Sequence, residues 1–94
     1  MLIAVLLFSE TAIAKLAARR VTPENIRQVA DSDRIVMRNP RPRLAGSVLL
    51  VGPTSGGRML TVVLNPEAGD EGSCDVRTAW ESSTAQIRRY QRDR

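Results

Sequence analysis

Thirteen arginines and a single lysine, Lys15, carry the positive charge of this chain, and it contains no histidine. Any chemistry it performs therefore rests on guanidinium groups, the single ammonium, hydroxyls and carboxylates. The arginines are clustered. Arg34, Arg38, Arg41 and Arg43 share a ten-residue window without an acid, and the last seven residues hold four more arginines against one aspartate. Between these clusters, Asp75-Val76-Arg77-Thr78-Ala79-Trp80 reads as a strand that turns directly into a helix bearing Arg88, Arg89, Tyr90 and Arg92. A guanidinium is planar, permanently charged and able to grip two phosphate oxygens at once. An arginine on a strand beside an arginine- and tyrosine-bearing helix is a candidate phosphate-binding surface.

Strict alternation along that strand sets Cys74, Val76, Thr78 and Trp80 on one face and Asp75, Arg77 and Ala79 on the other. Arg77 is thereby expected to point away from Trp80. Ser83-Thr84-Ala85-Gln86 matches a capping box, in which Ser and Gln side chains satisfy amides at a helix start.

The elements that must hold these groups are legible along the rest of the chain. Ninety-four residues, 43% of them hydrophobic, make one domain with a modest core. Aromatics are limited to Phe8, Trp80 and Tyr90, so aliphatic side chains must do most of the packing. Residues 2–8 form an apolar run that suits a strand buried on both faces. Ala12-Ile13-Ala14 resembles a secretory cleavage site, but no basic residue precedes the apolar run. Eight apolar residues are too few to span a bilayer. The expectation is a core strand in a cytoplasmic protein with no membrane partner.

Ser9 is placed to cap a helix to about Ala18. Thr22, Pro23 and Glu24 open a second helix that ends near Asp31, with Val21 and Ile26 positioned as a hydrophobic staple. The period then changes to two. Strands are expected over 34–38, 47–52, 59–64 and 73–80, with Pro53-Thr54-Ser55-Gly56-Gly57 as a hairpin loop. Pro40 and Pro42 bar the intervening stretch from a central strand. The order β-α-α-β-β-β-β-α gives an α+β fold whose two N-terminal helices and one C-terminal helix cover one face of a mostly antiparallel sheet. Cys74, alone on the apolar side of its strand, reads as a small buried hydrophobe. One cysteine and no histidine exclude a disulfide framework and the usual zinc sites, so no metal or other cofactor is expected. A formal charge of +4, with the acids gathered at Glu67, Asp70, Glu71 and Asp75, suits a polyanion or an acidic protein partner.

Taken in order, Arg19-Arg20-Val21-Thr22-Pro23-Glu24-Asn25-Ile26 and the meander with Gly52 and Gly57-Arg58-Met59-Leu60-Thr61-Val62-Val63 lead to a last helix ending in Arg88-Arg89-Tyr90. This pattern resembles the BrnT-like branch of the RelE/ParE superfamily, the toxins of bacterial type II toxin–antitoxin pairs. The similarity runs through nearly the whole chain in order and spacing. It implies a RelE-like fold and a metal-independent ribonuclease (an mRNA interferase) that blocks translation. The implied partners are a cognate antitoxin and RNA, including ribosome-bound mRNA, with a homodimer as a further association. The same superfamily fold also supports gyrase-directed activity. By position, Arg58 matches the family's basic residue after the hairpin glycine, and Arg88, Arg89 and Tyr90 match its basic, tyrosine-ended helix. The chain departs from the pattern at Ala79-Trp80, where the family has Ala-Arg, and at Ala18-Arg19-Arg20, where it has Lys-His-Gly.

RNA cleavage without a metal uses the neighbouring 2′-hydroxyl as nucleophile. The protein must align the strand, stabilise charge on the phosphoryl oxygens and move protons. Arg77 is the candidate for the phosphoryl oxygens, with Arg58, Arg88, Arg89 and Arg43 as RNA-binding cations. Arginine is a poor base, which leaves Glu81, Tyr90 or Lys15 for proton transfer. Each of these residues also has a structural role open to it. Arg77 has Asp75 within reach, Arg88 and Arg92 share a solvated helix face, Tyr90 is spaced from Ile87 for the core, and Trp80 suits a helix anchor as well as a stacking platform. The alternative to a nuclease is therefore a non-catalytic module of the same fold whose basic surface binds an acidic antitoxin or other partner.

Overall fold

A computed structural model of the chain describes residues 1–40 and 46–94. Arg41 and Arg43, and with Arg43 the RNA-binding role expected of it, lie outside the described residues.

The elements are β1 (Val5–Leu7), α1 (Glu10–Ala18), α2 (Pro23–Asp31), β2 (Ile35–Arg38), β3 (Val48–Pro53), β4 (Met59–Pro66), β5 (Ser73–Glu81) and α3 (Thr84–Asp93). The strands form one sheet in the order β1-β5-β4-β3-β2. Strands β2 to β5 run as an antiparallel meander, and β1 joins β5 in parallel. The α+β class, the element order and the mostly antiparallel sheet agree with the sequence reading.

Each helix begins where its side chains can satisfy the free amides of a first turn. The Ala12 amide donates to Ser9 Oγ at 3.0 Å. At α2 the Asn25 amide donates to Thr22 Oγ1 at 3.1 Å, while the Thr22 amide donates to Asn25 Oδ1 at 2.9 Å. Asparagine thus closes a reciprocal box that the sequence pattern of Glu or Gln does not flag. Helix α1 ends in a Schellman motif: the Arg20 amide donates to the Ala17 carbonyl and the Val21 amide to the Leu16 carbonyl. Arg20 holds the left-handed position of this motif, with φ 57°. Val21 and Leu16 meet in the core, which fixes the turn into α2.

The main core joins Leu16 of α1 and Ile26, Val29 and Ala30 of α2 to Leu50, Leu60, Val62, Leu64, Cys74, Val76 and Ala79 of the sheet. A second, smaller cluster joins Tyr90 of α3 to Ile35 and Val51. Neighbouring strand residues face opposite sides, so Leu50 and Val51 assign the two clusters to opposite faces of the sheet. Helices α1 and α2 cover one face and α3 packs on the other. The expectation that all helices share one face is corrected by this division. The two residues Ser82 and Ser83 that join β5 to α3 lead the chain onto the far side of the sheet.

The first strand is also corrected. It spans three residues rather than seven and lies at the sheet edge, with Val5 47% and Leu7 41% exposed. Ile3, Leu6 and Phe8 pack against the main core. An unbroken apolar run is compatible with burial on both faces, but an edge position leaves one flank open to solvent. Close backbone approach limits the opposite end of the sheet. A Cβ at Gly52 would stand 2.7 Å from Ser32 Oγ and 3.1 Å from Arg34 Cβ, so only glycine lets β3 pass there. Among the described residues no helix is long and apolar enough to cross a membrane.

Candidate nucleic-acid interface

The geometry of the candidate site follows from one irregularity in β5. Val63 pairs with Thr78, but the next residue on β4, Leu64, pairs with Val76. Arg77 is the extra residue of a β-bulge. A bulge breaks the period of two and re-aims the side chains beyond it. Cys74, Val76 and Ala79 therefore all face the main core, while Thr78 and Trp80 stand on the other face. Alternation across Arg77 is corrected accordingly: it lines the same cavity as Trp80 instead of pointing away from it.

That cavity, about 700 Å³, opens on the face of the sheet that carries α3. Leu49 of β3 and Val63 of β4 form its apolar floor. Thr78 and Trp80 of β5 and Gln86 of α3 make one wall, and Asn39, Pro40 and Ser47 lie on the side of β2 and β3. Strand β1 pairs only with Ser73, Cys74 and Asp75, so the outer edge of β5 beyond them is not covered by another strand. Past this edge α1 contributes Lys15 to the cavity lining, and its C-cap residue, Arg19, joins it there. Three cations, Lys15, Arg19 and Arg77, thus border the cavity, and among the described residues no carboxylate does. Arg77 Nη1 donates to Asp75 Oδ2 at 3.1 Å just outside the lining; the pair is exposed, which keeps its mutual attraction weak and leaves the guanidinium other donors.

Trp80 and Gln86 are fixed to one another by a polar network. Gln86 Oε1 accepts from the Ser83 amide at 2.9 Å, from Thr61 Oγ1 at 2.9 Å and from Trp80 Nε1 at 3.3 Å. The Thr61 hydroxyl spends its only proton on Gln86, so its 2.8 Å contact with Ser82 Oγ is a bond that Ser82 donates. Thr61 is fully buried, and the Gln86 amide in turn donates to Ser83 Oγ at 3.1 Å, completing the expected capping box. Trp80 is consequently both an anchor for α3 and a wall of the cavity.

The remaining sequence-derived candidates are dispersed. Arg58 Nε donates to Glu81 Oε1 at 2.9 Å, while its two terminal nitrogens donate to the carbonyls of Arg19 and Arg20. Arg58 and Glu81 together close the C-terminal end of α1, away from the cavity lining. Tyr90 is buried among Ile35, Val51, Met37 and Met59, with the Arg94 guanidinium 5.4 Å from its ring centroid. Arg88 projects into solvent, and Arg89 is paired with Asp93, which also receives Arg92 Nε at 2.9 Å. The two arginines hold the Asp93 carboxyl below its ordinary range by hydrogen bonds, chiefly that of Arg92. Burial raises the thiol pKa of Cys74, as expected for a packed hydrophobe.

Of the catalytic and RNA-binding candidates among the described residues, then, only Arg77 reaches the cavity; Lys15, held as a proton-transfer alternative, reaches it too. Sequence reasoning missed Arg19 as a lining cation, and it saw Gln86 only as a cap. The apolar spacing Cys74, Val76, Ala79 does carry a signal for the bulge, two residues and then three. Trp80 masks it by supplying an aromatic at even spacing. No protein-family model matches this chain, and no curated protein matches it in sequence.

Proposed function

We propose that this chain is a BrnT-like member of the RelE/ParE toxin superfamily that binds single-stranded RNA in the cavity beside β5. The observation that carries the proposal is a sheet-face cavity bordered by three cations and an indole and, among the described residues, by no carboxylate. Single-stranded nucleic acid is held by such pairings of positive charge for the backbone and aromatic surface for the bases. The order of helices and strands is compatible with a RelE-like arrangement, and the resemblance supplies the toxin identity and the acidic antitoxin partner.

In the cleavage this reading implies, the 2′-hydroxyl gives up its proton to solvent water and its oxygen bonds to phosphorus as the bond to the 5′-oxygen breaks. The products are a 2′,3′-cyclic phosphate and a free 5′-hydroxyl. Arg77 would stabilise the phosphoryl oxygens, where charge accumulates. Lys15 is the cavity-lining group able to pass a proton to the departing oxygen, because the arginines beside it stay charged. A non-catalytic module is the second reading, and a specific arrangement favours it. Glu81 is held by Arg58 and Tyr90 is packed in the second core, so neither candidate proton carrier borders the cavity.

Incubation with a fluorescent single-stranded RNA separates the two. A nuclease cuts the strand into cyclic-phosphate products, slows growth when expressed alone, and loses both effects in Lys15→Met and Arg77→Ala while remaining folded. RNA that is bound but left intact at micromolar protein supports the non-catalytic module. Absence of both cleavage and binding removes the RNA reading altogether.

A further inference from the structure

The Gln86 carboxamide is held in one orientation. Three donors, the Ser83 amide, Thr61 Oγ1 and Trp80 Nε1, converge on a single terminal atom of this side chain, and only the oxygen can accept from all three. The amide nitrogen, a pure donor, is left on the other side. It makes no hydrogen bond among the described residues, and no unsatisfied side-chain nitrogen or oxygen among them is buried, so Nε2 is accessible. Gln86 lines the cavity together with Trp80, to which its oxygen is bonded.

A free glutamine reads adenine by donating and accepting at once. Gln86 has lost the accepting half of that pattern to the protein. We propose that Gln86 is a specificity-determining residue that offers only N–H donors to the 4-position of a pyrimidine stacked at Trp80, and so selects uracil, whose O4 accepts there, over cytosine, whose N4 amino group would meet donor with donor. This rests on the reading of the cavity as an RNA site. The pinned indole supplies sequence-tolerant stacking, and the carboxamide adds the discrimination that stacking lacks.

The single tryptophan makes the site its own reporter. Titration of its fluorescence with hexauridylate and with hexacytidylate is expected to show about tenfold tighter binding of the uridine oligomer. In Gln86→Glu the new carboxylate still accepts from Ser83, Thr61 and Trp80, so circular dichroism should be unchanged. Its outward oxygen now accepts from cytosine and repels the uracil carbonyl. The added charge weakens both oligomers, so the ratio is the readout, and it should fall to one or reverse. Arg77→Ala should weaken both oligomers while the ratio stays. Equal affinities for the two oligomers in the native protein overturn the inference while leaving the RNA site standing. A folded Gln86→Glu protein that keeps the uridine preference also overturns it. If neither oligomer binds at all, the RNA site itself fails and the inference with it. Should Gln86→Glu not fold, the native ratio decides alone.

Discussion

Arg58, in the loop just before β4, and Arg77, on β5, both lie near residues at the end of α1, yet they are used in opposite ways. Arg58 has committed its guanidinium to the protein: one nitrogen to Glu81 and two to the last carbonyls of the α1 terminus. Arg77 sits on a bulge, holds one partly buried carboxylate, and borders a cavity with two further cations. A count of arginines therefore says little about binding capacity. What matters is how many of their donors the fold has already consumed, and that depends on carbonyls and carboxylates distant in sequence.

The contrast can be broken most directly at Arg58. Arg58→Ala is expected to lower stability by about 2 kcal/mol, because it leaves two helix-terminal carbonyls without their charged donor. Urea denaturation measures this, and RNA affinity of the folded fraction should change little. Equal loss of affinity would show that the Arg58 corner belongs to the binding surface after all. Arg77→Ala should do the reverse, reducing RNA affinity about tenfold and flattening its salt dependence by roughly one phosphate contact, with an unchanged urea midpoint. A finer probe of the committed corner is Arg20→Gly. Glycine adopts the left-handed position of the Schellman motif without steric cost, so a gain of roughly 0.5–1 kcal/mol is expected with RNA affinity unaltered. The smallest effect belongs to the third kind of arginine, the exposed pair on Asp93. Its depressed carboxyl pKa means a stabilising contribution present above the unfolded value near 3.8 and lost as pH falls through the lower folded value. Asp93→Asn should therefore destabilise α3 slightly at pH 7 and not at pH 2, measured by thermal unfolding at both.

Much of this framework can be read from local sequence. The caps at Ser9, Thr22 and Ser83, the hairpin at Pro53-Thr54-Ser55-Gly56-Gly57 and the burial of Cys74 each depend on residues within a few positions of one another. The misses share a different physics. Which face α3 covers depends on the two-residue connection Ser82–Ser83. Whether β1 is central or at the edge depends on what pairs with it, and its composition is equally apolar in both cases. The candidate site was legible at Arg77 by residue type but not by direction, since one inserted residue turned it to the side of Trp80. The commitments of Arg58 and Glu81 could not be read at all, because their partners lie on opposite sides of the β3–β4 hairpin.

The edge placement of β1 carries a consequence for how the molecule assembles. Val5 pairs with Ser73, so 68 positions of a 94-residue chain separate the two partners, whereas the β2–β5 meander closes through short connections. Long closures are entropically slow and their contacts are the last to be rewarded. The meander can therefore assemble first, with β1 zipping onto β5 at the end. In the native state the same strand is the natural first to detach, and its amides at Ala4 and Val5, both donating to the Gly72 carbonyl, should exchange with deuterium well before those of β3 and β4. The molecule then has a detachable margin on one side of a stably locked sheet.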